Sequence, residues 1–494
     1  MEFIILRFPD IQALSSTNVS QMCQIRYIMV EALKREICVQ EQSGTVNLTS
    51  GSIWMNIWYM SWPMLLVMFC NFLVGLTDVY VAGFLGPEIQ AIVGFVGELY
   101  FFIIIVANAI SIGTVALLSR AVGAGKFKDA LSATRQSLLL GLICALLLTA
   151  AALVFKDRII SLAGFTGDIN QIAGNYFVIF VFALAPNYMV ILSNAIFRAG
   201  GEVRLTLITM FIVSLINVVL DFLLVFGLSS MNGIGYRGIA LATAVSMFVG
   251  AAICFVLFKK SRWKDVFSGV WYLSSDLVRR IFMLSWPAAL MQISWNAGNI
   301  VLYNILSRLQ EGSITGMAAL TNGLRIEAII YMPVFALHAA ASVLMGQNLG
   351  AGSPGRAENI GWKISLSGVA FVSLMALPIF IWAEAFSAPV AKDQSVLLET
   401  VRYLRITMLS EPFMAMSVIL AGCLMGAGDT KGTMLVIVSA LWIVRLPLAY
   451  ILAVVAGYGA LGVWLSMIIS MFFQGIAMTV RFRSGRWKDI KPWG

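Results

Sequence analysis

The chain has 494 residues, of which 60% are hydrophobic and only 12% are charged, and its mean hydropathy is +0.90. A soluble globular protein carries about 25% charged residues, so this composition excludes an ordinary soluble protein and favours one with many membrane spans. The net charge of +9 does not indicate nucleic-acid binding, because the basic residues cluster at the ends of apolar runs.

Apolar runs follow one another along most of the chain. Residues 1–50 are polar and mixed, contain no recognisable signal peptide, and are interpreted as an N-terminal extension. The rest is predicted to be an all-α membrane protein of twelve transmembrane helices, because each apolar run reaches the roughly 20 residues that a bilayer requires. The predicted spans are 59–84, 88–118, 130–155, 170–198, 204–228, 237–258, 278–307, 314–347, 357–385, 396–425, 431–456 and 460–482.

The basic residues of the loops predict the orientation of these spans. The loops after even-numbered spans, together with the C-terminal segment, contain nineteen Lys and Arg residues, and the loops after odd-numbered spans contain five. Basic loops are retained in the cytoplasm, so both termini are expected there. We expect the protein in a plasma membrane, with a bacterial inner membrane as the predicted location.

The sequence repeats itself over its two halves. Four segments return in the same order, and their starting positions differ by 224, 227, 227 and 224. They are SWPMLL at 61–66 with SWPAAL at 285–290, RAVGAG at 120–125 with QNLGAG at 347–352, FRAGGEVR at 197–204 with LMGAGDTK at 424–431, and SRWKDV at 261–266 with GRWKDI at 485–490. Matches in order at a nearly constant offset indicate an internal duplication.

The duplication predicts two lobes of six spans each. Because six is an even number, both lobes enter the membrane in the same direction and are related by a pseudo-twofold axis along the membrane normal. The expected domains are an N-lobe at 51–258, a cytoplasmic inter-lobe loop at 259–280 and a C-lobe at 281–494. Transporters with such repeats place the substrate cavity between the lobes.

Several segments together resemble the multidrug and toxic compound extrusion (MATE) family over about residues 50–490. They are Trp62-Pro63, TDVYVAGFLG at 77–86, FRAGGEVR, NVVLD at 217–221, GIALAT at 238–243, and the RIE and GQNLGAG runs of the second half. The resemblance implies a twelve-helix exporter that expels cationic or lipophilic compounds in exchange for H⁺ or Na⁺.

Acidic residues inside the first lobe are the candidate coupling site. Counted along their spans at about 1.5 Å per residue, Asp78, Asn217, Asp221 and Thr243 fall in its outer half, and Glu98 at a similar or slightly deeper level. No Lys or Arg of this lobe lies at that depth, and a low dielectric disfavours a charged carboxylate. We therefore expect Asp221, with Asn217 and Thr243 as hydrogen-bond partners, to form with Asp78 a site that exchanges protons or holds a cation. The alternative is a stably protonated Asp221 that only bonds a neighbouring helix.

The resemblance adds detail to this site. In the proton-coupled, DinF-like branch of the family, the positions matching Asp78 and the polar network of Asn217, Asp221 and Thr243 are implicated in coupling. The NorM-like branch has acids at positions that correspond here to Trp295 and to the neighbourhood of Met414. Its sodium site is therefore not matched, which favours proton coupling without excluding Na⁺.

The second lobe combines acids with bases, namely Glu327 and Glu411 with Arg325 and Arg445. This balance favours structural ion pairs, and Glu411 with Arg445 is the preferred pair. Arg325 and Glu327 are two positions apart, so they point to different sides of one helix. Arg445 stands opposite Asp221 in the repeat, at the offset of 224.

The predicted function is secondary active antiport of organic cations, drugs or related lipophilic compounds against H⁺ or Na⁺, by alternating access. The alternatives are a lipid-linked precursor flippase of the wider superfamily, an intramembrane enzyme and a channel. No nucleotide-binding loop or catalytic motif is recognisable in the sequence, so we expect neither enzymatic activity nor a cofactor. The expected partners are small organic cations and the lipid bilayer, without nucleic acid, and the expected state is a monomer.

Overall fold

A computed structural model describes residues 47–165, 167–228 and 231–490. Its architecture is twelve long helices, named α1 to α12 in chain order. They are α1 Ile53–Phe84, α2 Pro87–Gly123, α3 Phe127–Val154, α4 Asp168–Phe182 with Leu184–Ala199, α5 Val203–Phe226, α6 Tyr236–Lys260, α7 Ser275–Ser307, α8 Ser313–Gly350, α9 Pro354–Ile381, α10 Gln394–Thr407 with Glu411–Gly426, α11 Thr430–Val455 and α12 Ala460–Arg483.

Short elements connect some of these helices. Helical turns at Lys156–Ser161 and Ala383–Ser387 follow α3 and α9, and 3-10 turns lie at Lys264–Val266 and Arg486–Asp489. Strands β1 (Gly227–Leu228) and β2 (Met231–Asn232), of two residues each, pair in antiparallel orientation after α5. The remainder of the described chain in regular structure is helical, as the composition predicts.

The lengths of the helices match a bilayer. Among the described residues, nine single helices are long and apolar enough to cross it, and the bent pairs α4 and α10 raise that number to eleven. The twelfth is α7, which is long enough at 33 residues but carries Arg279, Arg280 and several amides. The predicted all-α membrane fold with two six-helix lobes is confirmed.

Apart from shifts of up to five residues at other helix ends, the observed helices differ from the predicted spans most in α1, α4 and α10. Helix α1 begins at Ile53, before the predicted start at 59. Helix α4 bends by 42° around Ala183, and α10 bends by 57° between Thr407 and Glu411, where Pro412 follows immediately. Proline disfavours a helical residue before it and has no N–H to donate, so a helix entering Glu411-Pro412 from the N-terminal side is interrupted there.

The two lobes meet tightly at one end of the bundle. We call it the basic end, because the loops that follow Arg120 and Arg198 lie there. The Arg120 Nη2 atom donates to the Ala427 carbonyl at 2.9 Å, and the Gln347 Nε2 atom donates to the Ala199 carbonyl at 2.8 Å. One large apolar cluster contains side chains of both lobes, whereas a second cluster, around Val81, contains N-lobe residues alone.

Candidate functional site

The carboxyl groups of Asp78 and Asp221 lie against each other in the half of the N-lobe that is away from the basic end. Asp78 is on α1 and Asp221 is on α5, and the two side chains are close enough to share a hydrogen bond when one of them is protonated. Asp221 is fully buried and Asp78 is half-buried. Two carboxyl groups within hydrogen-bonding reach repel each other when both are ionised. The contact is therefore favourable only when a proton or a cation is shared between them.

The predicted hydrogen-bond partners of Asp221 are arranged differently from the expectation. The Asn217 Nδ2 atom donates to the Thr243 Oγ1 atom at 3.3 Å, and the Thr243 hydroxyl donates to the Ile239 carbonyl at 3.3 Å. Neither side chain bonds Asp221, so that part of the expectation was wrong. The physical reason is that the Thr243 hydroxyl lies within reach of the Asn217 amide, which leaves the carboxylate one turn away without either donor.

A tyrosine that the sequence reasoning missed lies at the same site. Tyr176, on the first segment of α4, is 1% exposed and lies close enough to Asp78 and Asp221 to interact electrostatically with both. The internal repeat could have pointed to Tyr176, because Tyr403 follows it by 227 residues. The neighbouring repeated segments have the same offset. The site is therefore built by α1, α4, α5 and α6.

This cluster has an excess of hydrogen-bond acceptors. Asp78 Oδ1, both carboxylate oxygens of Asp221, and Asn217 Oδ1 are buried and accept no N–H or hydroxyl hydrogen bond from the described residues, and the Tyr176 hydroxyl has no partner there either. Buried acceptors are normally satisfied by a donor or a cation. Chemically, the arrangement suits binding of a proton or a small cation.

Glu98 does not belong to this cluster. Its side chain is exposed on α2, and it forms no ion pair with the described residues. The sequence predicts a depth for Glu98 close to that of Asp78, but the Glu98 side chain points away from the N-lobe interior and does not reach Asp78.

The C-lobe contains a second buried cluster of acids, around Glu327 on α8. Its Oε2 atom accepts a hydrogen bond from the Tyr331 hydroxyl at 3.1 Å, and the hydroxyls of Tyr403 and Thr407 lie beside it. Glu411, at the start of the second segment of α10, is buried next to Glu327, and its Oε2 atom has no partner among the described residues. The sequence indicated these acids but not the hydroxyls around them.

The predicted ion pair between Glu411 and Arg445 is not formed, so that expectation was wrong. The Arg445 Nε atom donates instead to the Ser470 hydroxyl at 2.8 Å, and its guanidinium lies 5.4 Å from the centroid of the Trp295 ring. Arg445 ends a π-helical stretch at Ala440–Arg445, which changes the direction of its side chain relative to a regular helix. The acid within its electrostatic range is Glu327.

Two curated proteins are similar in sequence to most of this chain. "Probable multidrug resistance protein NorM" of Thermotoga maritima is 25% identical over 423 residues, covering 84% of this chain and 89% of that protein. The "FAD transporter" of Shewanella oneidensis is 24% identical over 445 residues, covering 89% and 96%.

The fold is also shared with solved transporters. A structure titled "Outward-facing conformation of a multidrug resistance MATE family transporter of the MOP superfamily" superposes with a TM-score of 0.82 at 21% identity, covering 90% of this chain and all of that one. "Crystal structure of MATE in the bent conformation" gives 0.81 at 22% identity, covering 90% and 97%.

The family model MatE matches the chain twice, at residues 63–223 and 287–451. The two matches begin at Pro63 and Pro287, which stand at the predicted repeat offset of 224 from each other. They cover more than half of the chain, and each match lies within one of the two six-helix lobes. The protein therefore belongs to the MatE (MATE) family of membrane transporters.

Proposed function

We propose that this protein is a multidrug exporter that moves organic cations or related lipophilic compounds out of the cell in exchange for H⁺. The relatives that are named multidrug resistance proteins support the substrate class. The observation that carries the coupling proposal is the contact between Asp78 and Asp221, two carboxyl groups inside the N-lobe with no Lys or Arg of the described chain beside them. Na⁺ is the alternative ion, because a set of unpartnered oxygens also suits a small cation.

The proposed cycle uses the proton at this contact. When the protein is open to the outside, a proton binds the pair of Asp78 and Asp221 and removes their mutual repulsion. Helix α1 contains Pro63 at a helix-interior position, which removes one backbone hydrogen bond and makes bending at that point easier. Protonation therefore allows α1 to bend or repack, the drug leaves to the outside, and the lobes then reorient.

The proposed orientation places the basic end in the cytoplasm. It rests on the excess of Lys and Arg in the loops at that end. The proposal includes the lobe boundaries 51–258 and 281–494, the joining loop 259–280, a plasma membrane location, cytoplasmic termini, a monomeric state and the DinF-like branch. Most of the extension at 1–50 lies outside the described residues.

Single substitutions test the coupling role. Asp78→Asn and Asp221→Asn are each expected to abolish drug resistance in a susceptible bacterial host, because an amide cannot take up and release the proton. The measurement is the minimum inhibitory concentration of several cationic drugs, with protein levels determined by immunoblot. Asp157→Asn is the matched control, since Asp157 is an exposed carboxylate at the far end of α3 and should keep full resistance. Normal resistance in both site variants at wild-type protein levels contradicts the coupling role.

A further inference from the structure

Glu98 and Arg325 occupy equivalent positions in the two lobes. Helices α2 and α8 correspond in the repeat, and RAVGAG at 120–125 and QNLGAG at 347–352 fix their offset at 227. Arg325 stands at this same offset from Glu98. The duplication therefore carries an acid in one lobe and a base in the other at one position.

Glu98 lies on the face of α2 that meets the C-lobe. At 100° per residue, Gly113 and Gly123 fall within about 60° of Glu98 around the helix. A Cβ atom at Gly113 would lie 2.5 Å from the Ser285 hydroxyl of α7, and one at Gly123 would collide with the Gln347 carbonyl of α8. Near the basic end, this face of α2 is in direct contact with the other lobe.

Arg325 lies on the matching face of α8. Gln347 and Gly350 fall within about 60° of Arg325 around the helix. The Gln347 side chain bonds the Ala199 carbonyl of the N-lobe, and a Cβ atom at Gly350 would collide with the Arg120 carbonyl. The two helices therefore face each other across the pseudo-twofold axis. We use the word stripes for the two facing surfaces, the one on α2 that carries Glu98 and the one on α8 that carries Arg325.

The outer parts of these stripes are uncovered in the observed conformation. Glu98 and Phe102 are exposed on α2, and Arg325 and Ile329 are exposed on α8. Glu98 lies about 22 Å from Gly113 along the helix axis. Within the described part of the chain, neither Glu98 nor Arg325 forms a salt bridge. The lobes are closed at the basic end and separated at the outer end.

We propose that Glu98 and Arg325 form a salt bridge between the lobes when the outer end closes, and that this pair holds the inward-open state together. The proposal rests on the proposed export function, in which one lobe rocks against the other. Rocking that opens the basic end brings the outer stripes of α2 and α8 together, and equivalent positions meet at the axis. An Arg and a carboxylate that meet in a closing, partly dehydrated cleft form a strong, directional pair. Like charges at these two positions would oppose closure.

Charge exchange tests this role. Glu98→Arg and Arg325→Glu are each expected to lower drug efflux at least tenfold, because each places like charges at the axis. The double variant Glu98→Arg/Arg325→Glu restores the attraction and should recover efflux to within about threefold of the wild type. A role of Glu98 in attracting cationic drugs predicts the opposite for the double variant, since Arg at position 98 repels them. Failure of the double variant to recover, at normal protein levels, overturns the proposal.

Cross-linking tests the same contact without relying on transport. The double variant Glu98→Cys/Arg325→Cys should form a disulfide in native membranes under mild oxidation, as the closed state is visited and trapped. The six native cysteines are first replaced by Ser, so that the introduced thiols are the only ones that can react. Glu98→Cys/Leu374→Cys is the control, with Leu374 exposed on α9, and should remain unlinked.

The two experiments separate failure of this proposal from failure of the proposed function. If the wild type exports none of the drugs but the variant Glu98→Cys/Arg325→Cys cross-links, the contact between the lobes stands and the substrate assignment falls. If both single-cysteine variants react with a maleimide but the double variant does not cross-link, the contact is overturned, whatever the transport result.

Discussion

At the scale of the residue, the two lobes have kept one framework and changed its chemistry. Tyr176 lies beside Asp78 and Asp221 in the N-lobe, and its repeat partner Tyr403 lies beside Glu327 in the C-lobe. Asp221 itself is replaced by Arg445 at the repeat offset of 224. Among the described residues, the N-lobe cluster therefore combines acids with a tyrosine hydroxyl, and the equivalent C-lobe cluster combines acids with the buried guanidinium of Arg445.

The Tyr176 hydroxyl is expected to support the acid pair. Tyr176→Phe keeps the buried ring but removes the hydroxyl that lies beside Asp78 and Asp221, so efflux should fall by about tenfold, equivalent to about 1.4 kcal/mol. The thermal midpoint should change little, because the hydroxyl has no partner in the described residues. The measurement is efflux of a fluorescent cation from whole cells. Tyr403→Phe is the matched control, and an equal loss in it would show that the effect is not specific to the N-lobe acids.

The C-lobe acids lead to a stability prediction that differs from the one an ion pair would give. Glu411 has no cation beside it in the described part of the chain, so Glu411→Gln should leave the thermal midpoint of the detergent-solubilised protein nearly unchanged. Arg445→Met loses the bond to Ser470 and leaves Glu327 without its neighbouring cation, and should destabilise by about 2 kcal/mol. The reverse order of the two variants would indicate that Glu411 and Arg445 act as a pair after all.

At the scale of the element, breaks in the helices decide which side chains reach the sites. The bend of α4 comes just after the segment that carries Tyr176, and the bend of α10 separates Tyr403 from Glu411. The π-helical stretches of α11 surround its short α-helical part at Leu446–Tyr450. Such stretches often occur at functional positions in helices. Here, the bends and the π-helical stretch that ends at Arg445 lie next to buried ionisable groups.

The start of α11 provides a test of element stability. Asp429 accepts from the Gly432 N–H and forms a two-point pair with Arg481 of α12, with both N–O distances at 2.8 Å. Asp429→Asn should lower the free energy of unfolding by about 1–2 kcal/mol, since Arg481 is partly exposed. Glu358→Gln breaks the more exposed pair with Lys488 and should cost less than about 1 kcal/mol. Thermal unfolding in one detergent compares them, and equal shifts would show that the cap and the second hydrogen bond add nothing.

At the scale of the whole molecule, hydropathy and the repeat were enough to predict twelve helices in two parallel lobes. Spans show directly in the sequence because every helix must present an apolar surface to lipid. The candidate residues Asp78 and Asp221 were also visible, since a carboxylate stands out in an apolar run. The position of Tyr176 near these acids, and Glu327 rather than Glu411 as the neighbour of Arg445, were not visible. These depend on helix bends and rotations of a fraction of a turn, which a pattern of residue types does not specify.

In the proposed mechanism, proton exchange at Asp78 and Asp221 drives export. The most direct measurement uses purified protein in liposomes, with transport of a fluorescent cation followed while a pH gradient and a Na⁺ gradient are imposed separately. We expect the pH gradient alone to accelerate transport in the wild type, the Na⁺ gradient alone to have no such effect, and Asp78→Asn and Asp221→Asn each to abolish the acceleration. Transport driven only by the Na⁺ gradient, or acceleration by the pH gradient that survives in both variants, would contradict this mechanism.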